Sequence, residues 1–281
     1  MISYFNGQYL PQEEIAISPD DRGFLMGDGI YEVIRSYHGY LFELDAHIER
    51  LRNGAQALQF NYSAFKEIKE IANQLITRNE LSQQDATVYI QVTRGVAKRS
   101  HEFPPSGTAL TIYATTQKFV PKSVQAEKGI SATLYPDVRW ARCNIKSINL
   151  IVNSMAHQHA IDSDAQEAIF IRNGYLTEGA HTNVLLVKNK TIITPPATNY
   201  ILAGITRKVV LSICHIYNIP LEERSVAEKE LFTADELMIV GTTVEIMPVV
   251  MLNKERINDG KPGPTTIKLQ RLFKEVIKYK L

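Results

Sequence analysis

The sequence predicts an α+β protein built from two mixed α/β domains, and three observations lead there. Stretches with apolar residues at helical spacing and stretches with strict alternation occur in both halves of the chain. Asn-Gly and Asn-Lys pairs stand between β-prone runs, as they do in tight hairpins. Between the halves, residues 117–129 (QKFVPKSVQAEKG) combine a proline with polar residues and show no clear period, so they read as a linker. The bounds that follow are 1–118 for a small N-terminal domain, 119–128 for the linker and 129–281 for a larger C-terminal domain.

In chain order, Asn6-Gly7 between Tyr4-Phe5 and Tyr9-Leu10 marks the first hairpin. GDGIYEVIR reads as a strand whose alternation puts Tyr31, Val33 and Arg35 on one face and Glu32 and Ile34 on the other. Asp45 is expected to cap a helix carrying Ile48, Leu51, Ala55 and Leu58. Ser63 is expected to start another with Phe65, Ile68, Ile71 and Leu75. ATVYIQVTR alternates Val88, Ile90 and Val92 against Thr87, Tyr89 and Gln91, and ALTIYATT closes the first half. The second half is richer in strands, with hairpins at Asn173-Gly174 and Asn189-Lys190. Its helices are expected at 148–161, 206–217 and 265–279, the last striped by Leu269, Leu272, Phe273, Val276 and Ile277.

Composition excludes several function classes. The 281 residues are 44% hydrophobic and 22% charged, enough for an ample core, and 31 basic against 30 acidic residues leave a net charge of +1. That balance gives no electrostatic case for nucleic acid or a membrane surface. Cys143 and Cys214 are too few for a disulfide framework and lack metal-site spacing. No metal is expected from them, and a reducing compartment is. The start MISYFNGQYL lacks the pattern of a secretory leader and no apolar run approaches a membrane span, so the expected location is cytoplasmic.

Chemistry enters at RCNIKSINLIVN, where Lys146 stands between Ile145 and Ile148. An amine among apolar residues tends to lose proton affinity and become a nucleophile for carbonyls. The alternative is a lysine that reaches solvent at a strand end. AGITRKVVL offers a helix start to a phosphate, with Thr206 as its expected N-cap, and GTTVEIMPV supplies a second Gly-Thr-Thr turn.

DRGFLMGDGIYEVIR, AHIERL, RCNIKSINLIVN, YLTEGAHTNVLLV, ILAGITR and GTTVEIMPV together resemble, in order and spacing, the class IV, fold-type IV pyridoxal-phosphate aminotransferases. VTRGVAKRSHEFP is similar to the branch of bacterial D-amino acid aminotransferases. The resemblance covers nearly the whole chain. It implies a fold-type IV enzyme with its active site at the interface of two domains, and pyridoxal 5′-phosphate as cofactor. It implies that Lys146 binds the cofactor as a Schiff base and then shuttles the substrate proton, while Glu178 pairs with the pyridine nitrogen. Arg50, Ile205, Thr206 and Thr242 would hold the phosphate, and Leu202 would pack against the ring. Tyr31, Arg99 and His101 would trap the substrate carboxylate, with Val33 and Thr243 beside them. The Arg99/His101 loop would come from the neighbouring subunit of a homodimer.

The implied reaction is ping-pong transfer of an amino group between a D-amino acid such as D-alanine and a 2-oxo acid such as 2-oxoglutarate. Competing readings are a branched-chain L-amino acid aminotransferase, an aminodeoxychorismate lyase and a non-catalytic carrier of the cofactor. The sequence departs from the pattern at Ala180-His181-Thr182 and at Gly241, where serines are usual, so a weaker hold on the cofactor is expected. The bland reading of His181 is a loop side chain facing solvent.

Overall fold

The computed structural model describes residues 1–61 and 65–280, so the expected helix start at Ser63 lies outside the described residues. The chain falls into two compact units. One comprises Met1–Val120 with Ile145–Asn149, the other Pro121–Asn144 with Leu150–Lys280.

The first unit contains β1 (Ile2–Phe5), β2 (Gln8–Pro11), α1 (Arg22–Met26), β3 (Gly29–Tyr37), β4 (Tyr40–Leu41), α2 (Leu44–Ala57), α3 (Phe65–Arg78), β5 (Ala86–Thr93) and β6 (Thr111–Lys118). Its six strands form one antiparallel sheet in the order β2-β1-β6-β5-β3-β4. The first hairpin turns at Asn6-Gly7 as expected, both residues having positive φ. Register sets Ile30 against Val92, Glu32 against Ile90 and Ile34 against Val88. Ile30, Ile34, Val88, Ile90 and Val92 share a core with Ile48, Leu51 and Ala55 of α2 and with Phe65, Ile68, Ile71 and Leu75 of α3. The other face of β3 and β5 carries the half-buried Tyr31, Val33, Tyr89 and Gln91.

Asp45 is not the cap of α2. The chain turns into that helix at Glu43, with φ +53 and no side-chain cap bond, while Asp45 lies in the first turn and receives a bond from Lys69. Leu58 is the C-cap rather than a helical residue.

The second unit contains α4 (Ser123–Lys128), β7 (Ile130–Pro136), α5 (Ile151–Asp162), β8 (Glu167–Arg172), β9 (Tyr175–Gly179), β10 (Asn183–Lys188), β11 (Thr191–Thr194), α6 (Ile205–Ile216), β12 (Leu221–Glu223), α7 (Glu228–Phe232), β13 (Glu236–Gly241), β14 (Glu245–Leu252), β15 (Glu255–Arg256) and α8 (Pro264–Lys280). A nine-stranded mixed sheet runs β12-β11-β10-β13-β14-β7-β8-β9, with β15 on β14. The hairpins at Asn173-Gly174 and Asn189-Lys190 are present, all four residues at positive φ. On α5, Ala156 and Ala160 pack on Ala168 and Phe170 of β8. The apolar stripe of α8 is buried at Leu269, Leu272, Phe273 and Ile277.

Two helix expectations shift, and the stretch 117–129 that reads as a linker contains α4, which buries none of its residues and so left no apolar period to read. The helix expected from 148 starts at Ile151, since Ser147 and Ile148 are instead paired to β3. Gly204, not Thr206, is the N-cap of α6; Thr206 is its buried second residue.

Candidate active site

In the first unit, two backbone bonds fix the segment that carries Lys146. Tyr31 N–H donates to the Lys146 carbonyl (3.0 Å) and Ile148 N–H to that of Gly29 (3.1 Å). The approach needs the glycines of the GDG run. A Cβ at Gly29 would lie 2.7 Å from Ile148 Cδ1, and Gly27, at φ +66, would set one 2.4 Å from Asn149 Oδ1. Lys146 is half-buried, its Nζ donates to the Tyr31 hydroxyl (3.3 Å), and it lies 4.4 Å from that ring's centroid. The amine thus faces a protein hydroxyl on β3.

Beside Tyr31, Tyr89 donates to Gln91 Oε1 (2.6 Å), and the two tyrosine rings are 5.7 Å apart. Burial, with Tyr31 and Tyr113 close by, raises the pKa of the Tyr89 phenol, so it stays a neutral donor. Val33 stands on the same face, as the alternation predicts.

Arg50 is not on a solvated helix face. Its side chain is 11% exposed, and Nε and Nη2 donate to the two oxygens of the fully buried Glu32 (2.7 and 2.8 Å). His47 Nδ1 meets the same carboxylate at 2.8 Å. Burial alone would raise the Glu32 pKa, but Arg50 and His47 outweigh it and hold it at about 2. Burial in turn lowers the pKa of His47, and Glu32 only partly opposes that. Sequence reasoning missed Glu32 and His47, although the spacing of His47 and Arg50 along α2 puts them on one face.

Arg99 and His101 are exposed. The loop around them is held rather than loose. Arg22, buried at 3%, donates Nη1 to the carbonyls of Ser100 (2.8 Å) and Glu102 (3.2 Å), and its Nε pairs with Asp28 (2.8 Å). Asp28 also receives Arg94 Nε (2.7 Å), and the Arg94 guanidinium lies 3.8 Å from the Phe103 ring centroid. None of these residues was given a role from the sequence, because Arg22 and Ser100 lie 78 residues apart and Asp28 and Arg94 66 apart.

In the second unit, Glu178 on β9 is buried and held from three sides. Arg139 Nη1 donates to Oε1 (2.7 Å), while Asn183 Nδ2 (3.2 Å) and the Leu202 backbone N–H (3.0 Å) donate to Oε2. Arg139 also binds Asp137 through Nε (2.9 Å) and Nη2 (3.0 Å). Burial would raise the Asp137 pKa, but Arg139, Arg172 and Thr177 together lower it. Leu202 is half-buried, and its carbonyl accepts from Asn183 (2.9 Å).

Gly204 caps α6 without a side-chain bond, which leaves the first-turn N–H groups of Ile205 and Thr206 for an anion. A Cβ at Gly204 would fall 2.0 Å from Asn183 Oδ1. Thr242 and Thr243 are half-buried in the turn between β13 and β14. At Gly241 the nearest atoms to an added Cβ are 3.5 Å away, so the usual serine would fit. His181 does not simply face solvent, since its Nδ1 is 3.5 Å from the buried Glu167.

The family description Amino-transferase class IV matches residues 29–252. The chain is 40% identical to the D-alanine aminotransferase of Staphylococcus aureus (strain N315), covering 98% of this chain and 97% of that one. It is 41% identical to the D-alanine aminotransferase of Bacillus licheniformis, over 97% and 96%. Among solved structures it is similar to the branched-chain amino acid aminotransferase of Escherichia coli, with a TM-score of 0.89 at 25% identity, covering 98% and 94%. It is also similar to the branched-chain aminotransferase of the archaeon Thermoproteus uzoniensis with norvaline, with a TM-score of 0.87 at 26% identity over 100% and 95%.

Proposed function

The chain belongs to the class IV aminotransferases, and from that premise we propose that it moves the amino group between a D-amino acid such as D-alanine and a 2-oxo acid such as 2-oxoglutarate, with pyridoxal 5′-phosphate as cofactor. The single observation that carries the chemistry is Lys146, half-buried and pinned to β3, with its amine on the Tyr31 hydroxyl. The handedness of the substrate rests on the near full-length likeness to D-alanine aminotransferases.

The residues fit such a cofactor. Glu178 is an anchored, buried carboxylate suited to a ring nitrogen. The start of α6, whose Gly204 cap makes no side-chain bond, suits a phosphate, as do the hydroxyls of Thr206 and Thr242. In this reading Arg50 adds charge to the phosphate, with Glu32 fixing its guanidinium, and Leu202 packs on the ring. When bound, the cofactor supplies an aldehyde for the amine and a ring that withdraws electrons from the substrate Cα.

Lys146 would carry the proton lost from the substrate Cα to the cofactor carbon that bore the aldehyde, and Tyr31 would position its amine for that transfer. Tyr31, Arg99 and His101 bind the α-carboxylate, with Arg99 and His101 supplied by a second copy of the chain in a cytoplasmic homodimer. The grip of Arg22 on Ser100 and Glu102 presents that loop. Val33 and Thr243 border the side chain of the substrate. Light scattering of the purified protein then gives about twice the chain mass of 31.7 kDa.

Mixing the protein and cofactor with D-alanine and 2-oxoglutarate yields pyruvate, and Lys146→Ala lowers that rate roughly 10³-fold or more. Turnover of L-leucine without D-alanine would select the branched-chain reading. Pyruvate formed from aminodeoxychorismate alone would select the lyase, and a bound cofactor with no turnover at all would select the carrier.

A further inference from the structure

The loop that departs from the family pattern borders a second group of donors. Glu167, the first residue of β8, is fully buried. One of its oxygens accepts from the N–H groups of Ala168 (2.9 Å) and Ala180 (3.2 Å), the other from the Thr182 hydroxyl (2.8 Å). Among the described residues no lysine or arginine pairs with it, and its ion pair is with His181, Nδ1 to Oε2 at 3.5 Å. His157 on α5 sets its ring perpendicular to that of His181, the centroids 5.3 Å apart. The Nδ1 of His157 is buried and has no hydrogen-bond partner among the described residues. One donor atom from each of the three side chains lies within 4.8 Å of the others.

A purely hydrogen-bonded triad accounts poorly for this. It would give the buried His157 nitrogen a partner, since leaving such an atom unsatisfied costs about 1–3 kcal/mol. It would also shorten the His181 contact, which at 3.5 Å is at the limit of a useful bond. A cation takes a lone pair from each of the three groups at once.

We propose that His157, Glu167 and His181 form a binding site for a divalent transition cation of the zinc type, completed by solvent. Two imidazoles and one carboxylate match zinc or cobalt, whereas magnesium and calcium prefer oxygen donors alone. Zinc ligands lie about 2.0–2.2 Å from the metal, which sets them roughly 3.4 Å apart in a tetrahedron. The present span of up to 4.8 Å closes by turning the His181 ring, whose side chain is 43% exposed and has the most room. The backbone donors on Glu167 fix its orientation, as the outer contacts of metal ligands commonly do. No other role in the proposed reaction falls on these three residues.

The test uses the full-length holoenzyme, dialysed against chelator and titrated with Zn²⁺ in competition with a chromophoric chelator, then with Co²⁺ in the visible range. The expected result is equimolar Zn²⁺ binding at low micromolar concentration and the intense bands of tetrahedral cobalt. His157→Gln and His181→Ser each weaken binding by about 10²-fold or more. His181→Ser alters a half-exposed side chain, so its metal-free circular dichroism matches that of the wild type and its melting temperature is not lower, which excludes loss of fold. Absence of equimolar binding by the wild type, or binding unchanged in both histidine variants, overturns the site.

Discussion

Tyr31 makes contact with Lys146 through both its amide and its hydroxyl, at 3.0 and 3.3 Å. Tyr31→Phe keeps the first contact and removes the second. Losing one such hydrogen bond costs about 0.5–1.5 kcal/mol, so kcat/KM for D-alanine should fall roughly 2- to 10-fold with the melting temperature little changed. Steady-state kinetics beside a thermal melt check this, and an unaltered kcat/KM would remove the hydroxyl from the mechanism. Lys146 and Glu178 were singled out from the sequence because the family motifs flank them. Glu32 was not, because a carboxylate on the core-facing side of a strand is recognisable only once the arginine and histidine above it are known.

The start of α6 shows what single elements reveal and conceal. Its apolar period was plain in the sequence, yet its cap was misplaced by two residues, because Thr is the commoner cap and the reason for Gly204 lies at Asn183, far along the chain. Gly204→Ala would force its new Cβ against Asn183 Oδ1 and so disturb the residue that donates to Glu178. Cofactor affinity, measured by titrating apoenzyme, should drop about tenfold or more, in line with the loss of an outer contact. The hairpins were the most legible elements, since Asn-Gly and Asn-Lys meet the positive-φ demand of tight turns directly. Conversely, α4 was hidden because it is short and buries nothing.

For the whole molecule, acid should be the stress that finds the buried ion pairs. Glu32 has a folded pKa of about 2 against an ordinary 4.5, so its stabilisation is fully present above pH 4.5 and is lost as pH falls from there towards 2. At about 1.4 kcal/mol per pH unit, that amounts to about 3 kcal/mol. Asp137, also depressed, adds loss in the same direction. Melting temperature followed from pH 7 to 3 should therefore fall most steeply below about 4.5. Glu32→Gln should start lower at pH 7, because Arg50 is left buried without its carboxylate, and show a flatter acid limb. An acid limb as steep as the wild type's would move the stabilisation elsewhere. Two mixed α/β units were legible in the order of periods. The inclusion of Ile145–Asn149 in the first unit was not, because nothing local announces a pairing with β3 more than a hundred residues earlier.

That pairing has one more consequence. Since β3 carries Tyr31 and Val33 and also anchors the Lys146 segment, the spacing between that amine and this face is built into a single ladder of amides. Under the proposed reaction, substitutions at Val33 would retune side-chain preference while the lysine stays in register, so new specificities would arise without rebuilding the catalyst.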